Sequence, residues 1–225
     1  MPKKRLNVLI IEDHPIIIEG YKNALLSDES SNEYDYFFRQ ASNCDDALKT
    51  LKLKSAANTN LVLLDIKLPP SQKNHHVTSG EDLAIHIRRN FPDTKIIILT
   101  MLSEQERIIN ISKSIEPDGF IIKSDLTSKV LKTAFHKVFN DPPFYSESVL
   151  KIHKMNNNAS VLIDQIDRSI LYHLSKGVKT KNLVDYIPLS LSAIEKRKLN
   201  LKKVLELKEK NDKSLISKAL EKGFI

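Results

Sequence analysis

Apolar residues along this chain fall into two rhythms that divide it near residue 140. Up to that point, short unbroken apolar runs alternate with stretches of helical spacing, which is the signature of βαβ units around a parallel sheet. The most compact run is Leu61-Val62-Leu63-Leu64, closed by Asp65. A run without alternation suits a central strand, whose two faces are both covered by helices. Three further runs behave alike: Leu6–Ile11 closes on Glu12-Asp13, Lys95–Leu99 on Thr100, and Gly119–Ile122 on Lys123. Tyr34–Ala41 reads as another strand. The intervening helices are predicted over Pro15–Leu26, Asp45–Leu53, Glu81–Asn90 and Glu104–Ile115, with a last one carrying Val130, Leu131, Ala134, Phe135 and Val138. Pro15 suits a first helical turn, Ser79 suits a cap, and Asp125 or Thr127 can start the last helix. The expected fold class is α/β, a doubly wound five-stranded parallel sheet, joined to a second, all-α domain.

Asn140-Asp141-Pro142-Pro143 cannot continue a helix, and Lys154–Ser160 reads as flexible. The predicted organisation is therefore a domain over 1–139, a linker over 140–160 and a domain over 161–225. The last segment is purely helical: Asp164–Leu174, Lys179–Tyr186, Ser190–Leu205 and Lys213–Lys222. The short turn Ile187-Pro188-Leu189-Ser190 between the second and third helices gives the outline of a helix-turn-helix. On a wheel of 100° per residue, Leu201, Leu205 and Lys198 lie within about 40° of Ile194. The opposite face carries Ser192, Lys196, Leu199, Asn200 and Lys203.

Charge strengthens that division. Residues 151–225 hold 16 Lys/Arg against 8 Asp/Glu, a net of +8, while residues 1–150 hold 19 against 20, a net of −1. A basic C-terminal third on a near-neutral body points to a polyanion partner at that end. No apolar run approaches the roughly 18–20 residues of a membrane span. The single cysteine, Cys44, excludes an internal disulfide; it is read as a half-buried filler in a protein of the reducing cytoplasm.

In open α/β sheets, ligands bind beyond the carboxyl ends of the strands. One rim would then gather three carboxylates (Glu12, Asp13, Asp65), the Thr100 hydroxyl and the Lys123 ammonium. Carboxylates packed together repel, and a divalent cation with oxygen ligands relieves this, Mg2+ being usual beside phosphate. Lys123 and Thr100 can then hold phosphoryl oxygens. The constellation suggests a carboxylate that takes up a phosphoryl group.

On these residues, positions 1–139 resemble the receiver domain of two-component response regulators. Glu12-Asp13 match the family's acidic pair, Asp65 its phosphoacceptor, Thr100 its switch hydroxyl and Lys123 its invariant lysine. Pro69 and the aromatic Phe120 also fit. Glu12-Asp13-His14-Pro15 with Gly20 is similar to the subgroup with a NarL/LuxR-type helix-turn-helix output, and the C-terminal ending resembles a Bacteroidetes variant of it. The resemblance implies that Asp65 accepts a phosphoryl group from a sensor histidine kinase. It implies Mg2+ (or Mn2+) held by Glu12, Asp13, Asp65 and the carbonyl of Lys67, and a switch in which Thr100 and Lys123 meet the phosphate while Phe120 turns inward. It further implies a homodimer on activation and control of transcription through double-stranded DNA, without a membrane partner. The DNA contacts expected are Ser192, Lys196, Arg197, Asn200 and Lys203. Arg197 stands where the family pattern has His.

The chain departs from that pattern at Gly80, which lies fifteen residues after Asp65 instead of about eight, so Ser71–Thr78 reads as an insertion, with His75-His76 in its loop. Lys123 is followed by Ser124 where many receivers have Pro. The competing readings are a phosphorylation-dependent adaptor whose helical domain binds protein instead of DNA, and an aspartyl phosphatase. Lys67 counts against the latter, because such enzymes want a second Asp there.

Overall fold

The computed structural model describes residues 3–27, 33–53, 58–74, 77–155, 163–207 and 211–225. His75-His76 and the segment 156–162 therefore lie outside the described residues. The chain divides into two compact units, Met1–Met101 with Ile115–Met155, and Leu102–Ser114 with Asn156–Ile225.

In the first unit the strands are β1 (Lys4–Ile11), β2 (Tyr34–Ala41), β3 (Leu61–Asp65), β4 (Lys95–Thr100), β5 (Gly119–Ile122) and β6 (Phe144–Tyr145). All pairings are parallel, in the order β2-β1-β3-β4-β5-β6. Every residue of β3 is buried, as expected of a central strand. The helices of this unit are α1 (Pro15–Leu26), α2 (Cys44–Leu51), α3 (Gly80–Asn90), α5 (Ser128–Asn140) and α6 (Glu147–Met155), while α4 (Gln105–Ile115) falls almost wholly in the second unit. Caps fix where several begin. Pro15 opens α1, and the side chains of Asn43, Ser79 and Thr127 accept from the N–H of Asp46, Asp82 and Val130.

Beyond the five expected strands, β6 adds a sixth at the edge, and the segment expected to be a linker carries structure as far as Met155. The prolines end α5, but Phe144 N donates to Asp118 O and Ser146 N to Phe120 O, so the chain is laid along β5. Ser148 then bonds Asp125 through both its N–H and its hydroxyl, at 2.9 and 2.8 Å. A two-residue strand leaves no periodic trace in sequence, which explains why composition alone suggests a linker. Cys44 is wholly buried, and burial pushes its thiol up to about 12, as suits a filler.

The second unit packs α7 (Gln165–Ser175), a 3-10 helix (Thr180–Asp185), α8 (Leu191–Val204) and α9 (Asp212–Glu221) around Ile170, Leu171, Leu183, Ile194, Leu201 and Leu215. Asp164, Ser190 and Asn211 cap α7, α8 and α9. The helix expected over Lys179–Tyr186 is 3-10 in form over Thr180–Asp185. Among the described residues no helix is long and apolar enough to cross a membrane.

Candidate functional site

Strand register gathers the chemistry of the first unit. Ile11 pairs with Leu64, Asp65 with Leu99, and Thr100 with Ile122. Glu12-Asp13, Asp65, Thr100 and Lys123 therefore leave adjacent strands at one edge. Lys123 draws the group together: its Nζ lies 2.5 Å from Asp65 Oδ2 and 2.7 Å from Glu12 Oε2. Asp65 Oδ1 accepts from the N–H of Lys67 at 2.9 Å. Glu12, Asp65 and Thr100 are all buried. Thr100 sits one residue beyond the level of Asp65 on the neighbouring strand, and Phe120, the expected switch aromatic, is fully buried on β5.

The electrostatics follow from this placement. Burial pushes the Asp65 carboxyl above the ordinary range, against the opposing hydrogen bonds from Lys123 and Lys67. Burial works against the Lys123 charge, but the hydrogen bonds to Asp65 and Glu12 outweigh it and hold the ammonium above its usual value. Two buried carboxylates, Asp65 and Glu12, thus share one lysine.

The donor set fits a divalent cation. Asp13 Oδ1 is buried and makes no hydrogen bond, and Glu12 Oε1 faces away from Lys123. Glu12, Asp13 and His14 each offer one ligand atom, all within 4.8 Å of one another. The His14 imidazole is raised by its hydrogen bond to Glu12 and by the charge of Asp13. A cleft of about 450 Å3 opens beside Glu12 and Asp13, lined further by Ser42, Asp46 and Lys49.

Gly80 shapes the same edge. Its N–H donates to Ile66 O at 3.0 Å, and a Cβ there would stand 2.1 Å from the Asp65 carbonyl oxygen. The insertion therefore keeps glycine where the β3 end needs it. Its first turn is tied to α2: the Ser71 hydroxyl and the Gln72 N–H both bond Asp45. The Thr78 hydroxyl donates to Asp82 at 2.7 Å.

In the second unit, Ser192, Lys196, Leu199, Asn200 and Lys203 are exposed on one side of α8. Arg197 departs from the expectation that it joins them. Its Nη1 lies 2.8 Å from Asp164 Oδ2 and 2.9 Å from Asp167 Oδ1, which binds α8 to the start of α7. Its place about 60° from Ile194 on the helix wheel is the signal that distinguishes it from the outward face. Lys198 is buried, with Nζ 2.5 Å from Thr180 Oγ1 and 2.7 Å from Asp212 Oδ2. His14 is the residue that the motif reading left without a role, although its position directly after Glu12-Asp13 already placed it at the rim.

Residues 8–135 match the response regulator receiver domain family. The chain belongs to that family. The oxygen regulatory protein NreC of Staphylococcus epidermidis is 22% identical over 232 residues, covering 98% of this chain and 99% of that protein. NreC of Staphylococcus carnosus is 22% identical over 231 residues, with the same coverage. Among solved structures, RcsB of Salmonella enterica serovar Typhimurium, bound to promoter rprA in the presence of the phosphomimetic BeF3−, is similar with a TM-score of 0.67 and 20% identity, covering 96% of this chain and 98% of that one. At that identity the likeness speaks for the fold. The receiver match spans β1 to α5 and includes each of the strand-end residues described above.

Proposed function

We propose that this response regulator accepts a phosphoryl group on Asp65 from the phosphohistidine of a sensor kinase and thereby controls binding of double-stranded DNA. The observation that carries the reading is the Lys123 ammonium bridging Asp65 and Glu12 at the ends of three strands. In the transfer, a carboxylate oxygen of Asp65 attacks phosphorus. The P–N bond breaks, and the leaving imidazole nitrogen keeps the electron pair and gains a proton. Asp65 becomes an acyl phosphate.

Glu12, Asp13, Asp65 and the Lys67 carbonyl are suited to hold Mg2+ or Mn2+, which when bound supplies positive charge to the phosphoryl oxygens. Lys123 exchanges its bond to the free carboxylate for one to the phosphoryl oxygens, a charge-assisted contact that strengthens as charge accumulates there. Thr100 offers a hydroxyl from the next strand. A new charge of about −1.5 to −2 then biases the β4 and β5 ends, with Phe120 as the packing element that responds.

For the output, Ser192, Lys196, Asn200 and Lys203 supply a polar and basic face at a helix-turn-helix, suited to phosphates and base edges. Arg197 belongs to the support of that helix. The relative RcsB has been solved bound to DNA, including as two dimers on two parallel DNAs, which favours DNA as the partner and a homodimer as the active form. The cytoplasm is the compartment in which a sensor kinase would meet it.

A mobility-shift selection on random DNA, with and without a small phosphodonor and Mg2+, tests the reading. The expected result is a selected site bound more tightly after phosphorylation, with affinity falling steeply as salt rises. No selected DNA and no salt slope would favour the protein-binding adaptor.

A further inference from the structure

We infer that β6 and the start of α6 are a positioning device for Lys123, and through it for the reaction at Asp65; the inference rests on Asp65 being the phosphoacceptor proposed above. Lys123 follows β5 directly and reaches Asp65 and Glu12 through a flexible four-carbon stem, so where its ammonium falls depends on how its backbone is held. Ser124 is no proline and leaves that backbone free to turn. The restraint comes from far along the chain. Ile122, the residue before Lys123, donates its N–H to the Ser146 hydroxyl oxygen at 3.2 Å, across 24 residues. Asp125, two residues after Lys123, accepts from the Ser148 N–H at 2.9 Å and from the Ser148 hydroxyl at 2.8 Å, across 23 residues. The buried Ser146 hydroxyl also bonds Asp125, so one group ties the residue before Lys123 to the second residue after it. Burial pushes the Asp125 carboxyl up, but the hydrogen bonds from Ser146 and Ser148 outweigh it and hold it below the ordinary range.

The segment carrying the two serines is itself anchored. Ser146 N donates to Phe120 O and Leu150 N to Ser146 O, both at 2.9 Å, and Val149 and Ile152 of α6 are buried. Between the two ties the chain makes a single 3-10 turn, Lys123–Asp125, closed by the Leu126 N–H on the Lys123 carbonyl oxygen at 3.2 Å. Lys123 therefore stands on a turn pinned on both sides. A displacement of about 1 Å is enough to cost a well-placed group up to roughly a hundredfold in rate. A segment that only covered the edge of the sheet would leave Lys123 indifferent to Asp125.

The full-length wild-type, Asp125→Ala and Asp125→Asn proteins are compared in two ways. Brief acylation by an amine-reactive ester, without phosphodonor and mapped by mass spectrometry, should find Lys123 about tenfold more reactive in Asp125→Ala, as its protecting contacts open locally. Lys95, on β4 of the same sheet, serves as the reference that does not change. The initial rate of Asp65 labelling by a small phosphodonor in Mg2+ should fall about tenfold in Asp125→Ala. Asp125→Asn should stay within about twofold of wild type in both readings, because its oxygen accepts the Ser148 N–H and its amide donates to the Ser148 hydroxyl. Ser148→Ala, which loses only the hydroxyl bond, should shift both readings the same way by roughly threefold and replaces Asp125→Ala if that variant does not fold. Unchanged Lys123 reactivity, equal gains at Lys95, an unchanged labelling rate, or an Asp125→Asn protein as impaired as Asp125→Ala would overturn the inference. A wild-type protein that takes no label removes the phosphoacceptor reading, while the acylation reading still decides whether Asp125 holds Lys123.

Discussion

Two lysines, one in each unit, are buried to nearly the same degree, and their surroundings differ in a way that separates a working site from a structural clamp. Lys123 is 8% exposed and serves two carboxylates, Asp65 and Glu12, that are themselves 5% and 1% exposed. Lys198 is 9% exposed and serves one carboxylate, Asp212, that is 40% exposed, together with the Thr180 hydroxyl. Around Lys198 the surplus is positive, since Lys202 shares the same carboxylate, and solvent reaches that carboxylate. Around Lys123 there is a surplus of buried negative charge, with Asp13 and His14 beside it. Burial of a lysine says little by itself. What marks the site is an excess of desolvated carboxylates that a cation can relieve.

The largest effect should come from the packing that fixes the carboxylate end of that comparison. Gly80→Ala sets a methyl against the Asp65 carbonyl at 2.1 Å, where backbone cannot yield cheaply. A loss of about 3 kcal/mol in denaturant unfolding of the first unit is expected, with the second unit unaffected. An unchanged midpoint would show that the β3 end has room the geometry denies.

Removing each lysine comes next. Lys198→Ala should cost roughly 2 kcal/mol, because Asp212 and Thr180 lose a shared partner at a site only partly open to water. Lys123→Ala should also destabilise, but added Mg2+ should restore the first unit and leave the Lys198→Ala deficit untouched, since only one of the two sites gathers carboxylates for a cation. Hydrogen exchange followed separately in the two units checks both. Equal rescue, or rescue of neither, would erase the distinction.

The carboxylates should differ in sign. Asp65 is raised by burial, so its charge opposes folding above its folded value, and the penalty fades as pH falls toward the ordinary carboxylate range. Asp65→Asn is therefore expected to raise the stability of the first unit at neutral pH, with the gain vanishing in acid. For Asp212 burial pushes upward, but the Lys198 and Lys202 hydrogen bonds outweigh it and its carboxyl is lowered. It stabilises above the ordinary value, and that contribution is lost as pH falls through the folded one. Asp212→Asn should thus weaken the second unit at neutral pH, the gap closing in acid. Unfolding curves across pH measure both.

The smallest effects concern α8. Lys196→Ala should reduce the salt slope of DNA binding by about one and leave stability alone. Arg197→Ala should do the reverse, loosening α8 from Asp164 and Asp167 without changing the slope. A slope that fell with Arg197→Ala instead would return that residue to the DNA face.

The receiver edge was legible because β1, β3, β4 and β5 each read as an apolar run, and the residue that closes the run is the one suited to the chemistry. Asp65, Thr100 and Lys123 needed no knowledge of long-range contacts. Arg197 needed it, because its partners lie 33 and 30 residues away on another helix. A wheel gives the face of a residue but not the carboxylates that meet it. Likewise β6 is held by hydrogen bonds from Phe144 and Ser146 to β5 and has no side-chain rhythm of its own. Gly80 could be seen as displaced from its family position, while its contact with the Asp65 backbone came only from the fold.

The most direct test is intact-mass and peptide mapping of the full-length protein after incubation with a small phosphodonor and Mg2+. The account predicts the mass of one phosphoryl group, lost on hydroxylamine treatment, mapped to Asp65 and missing from Asp65→Asn. A wild-type protein that stays unmodified, or an Asp65→Asn protein labelled to the same extent, would contradict it.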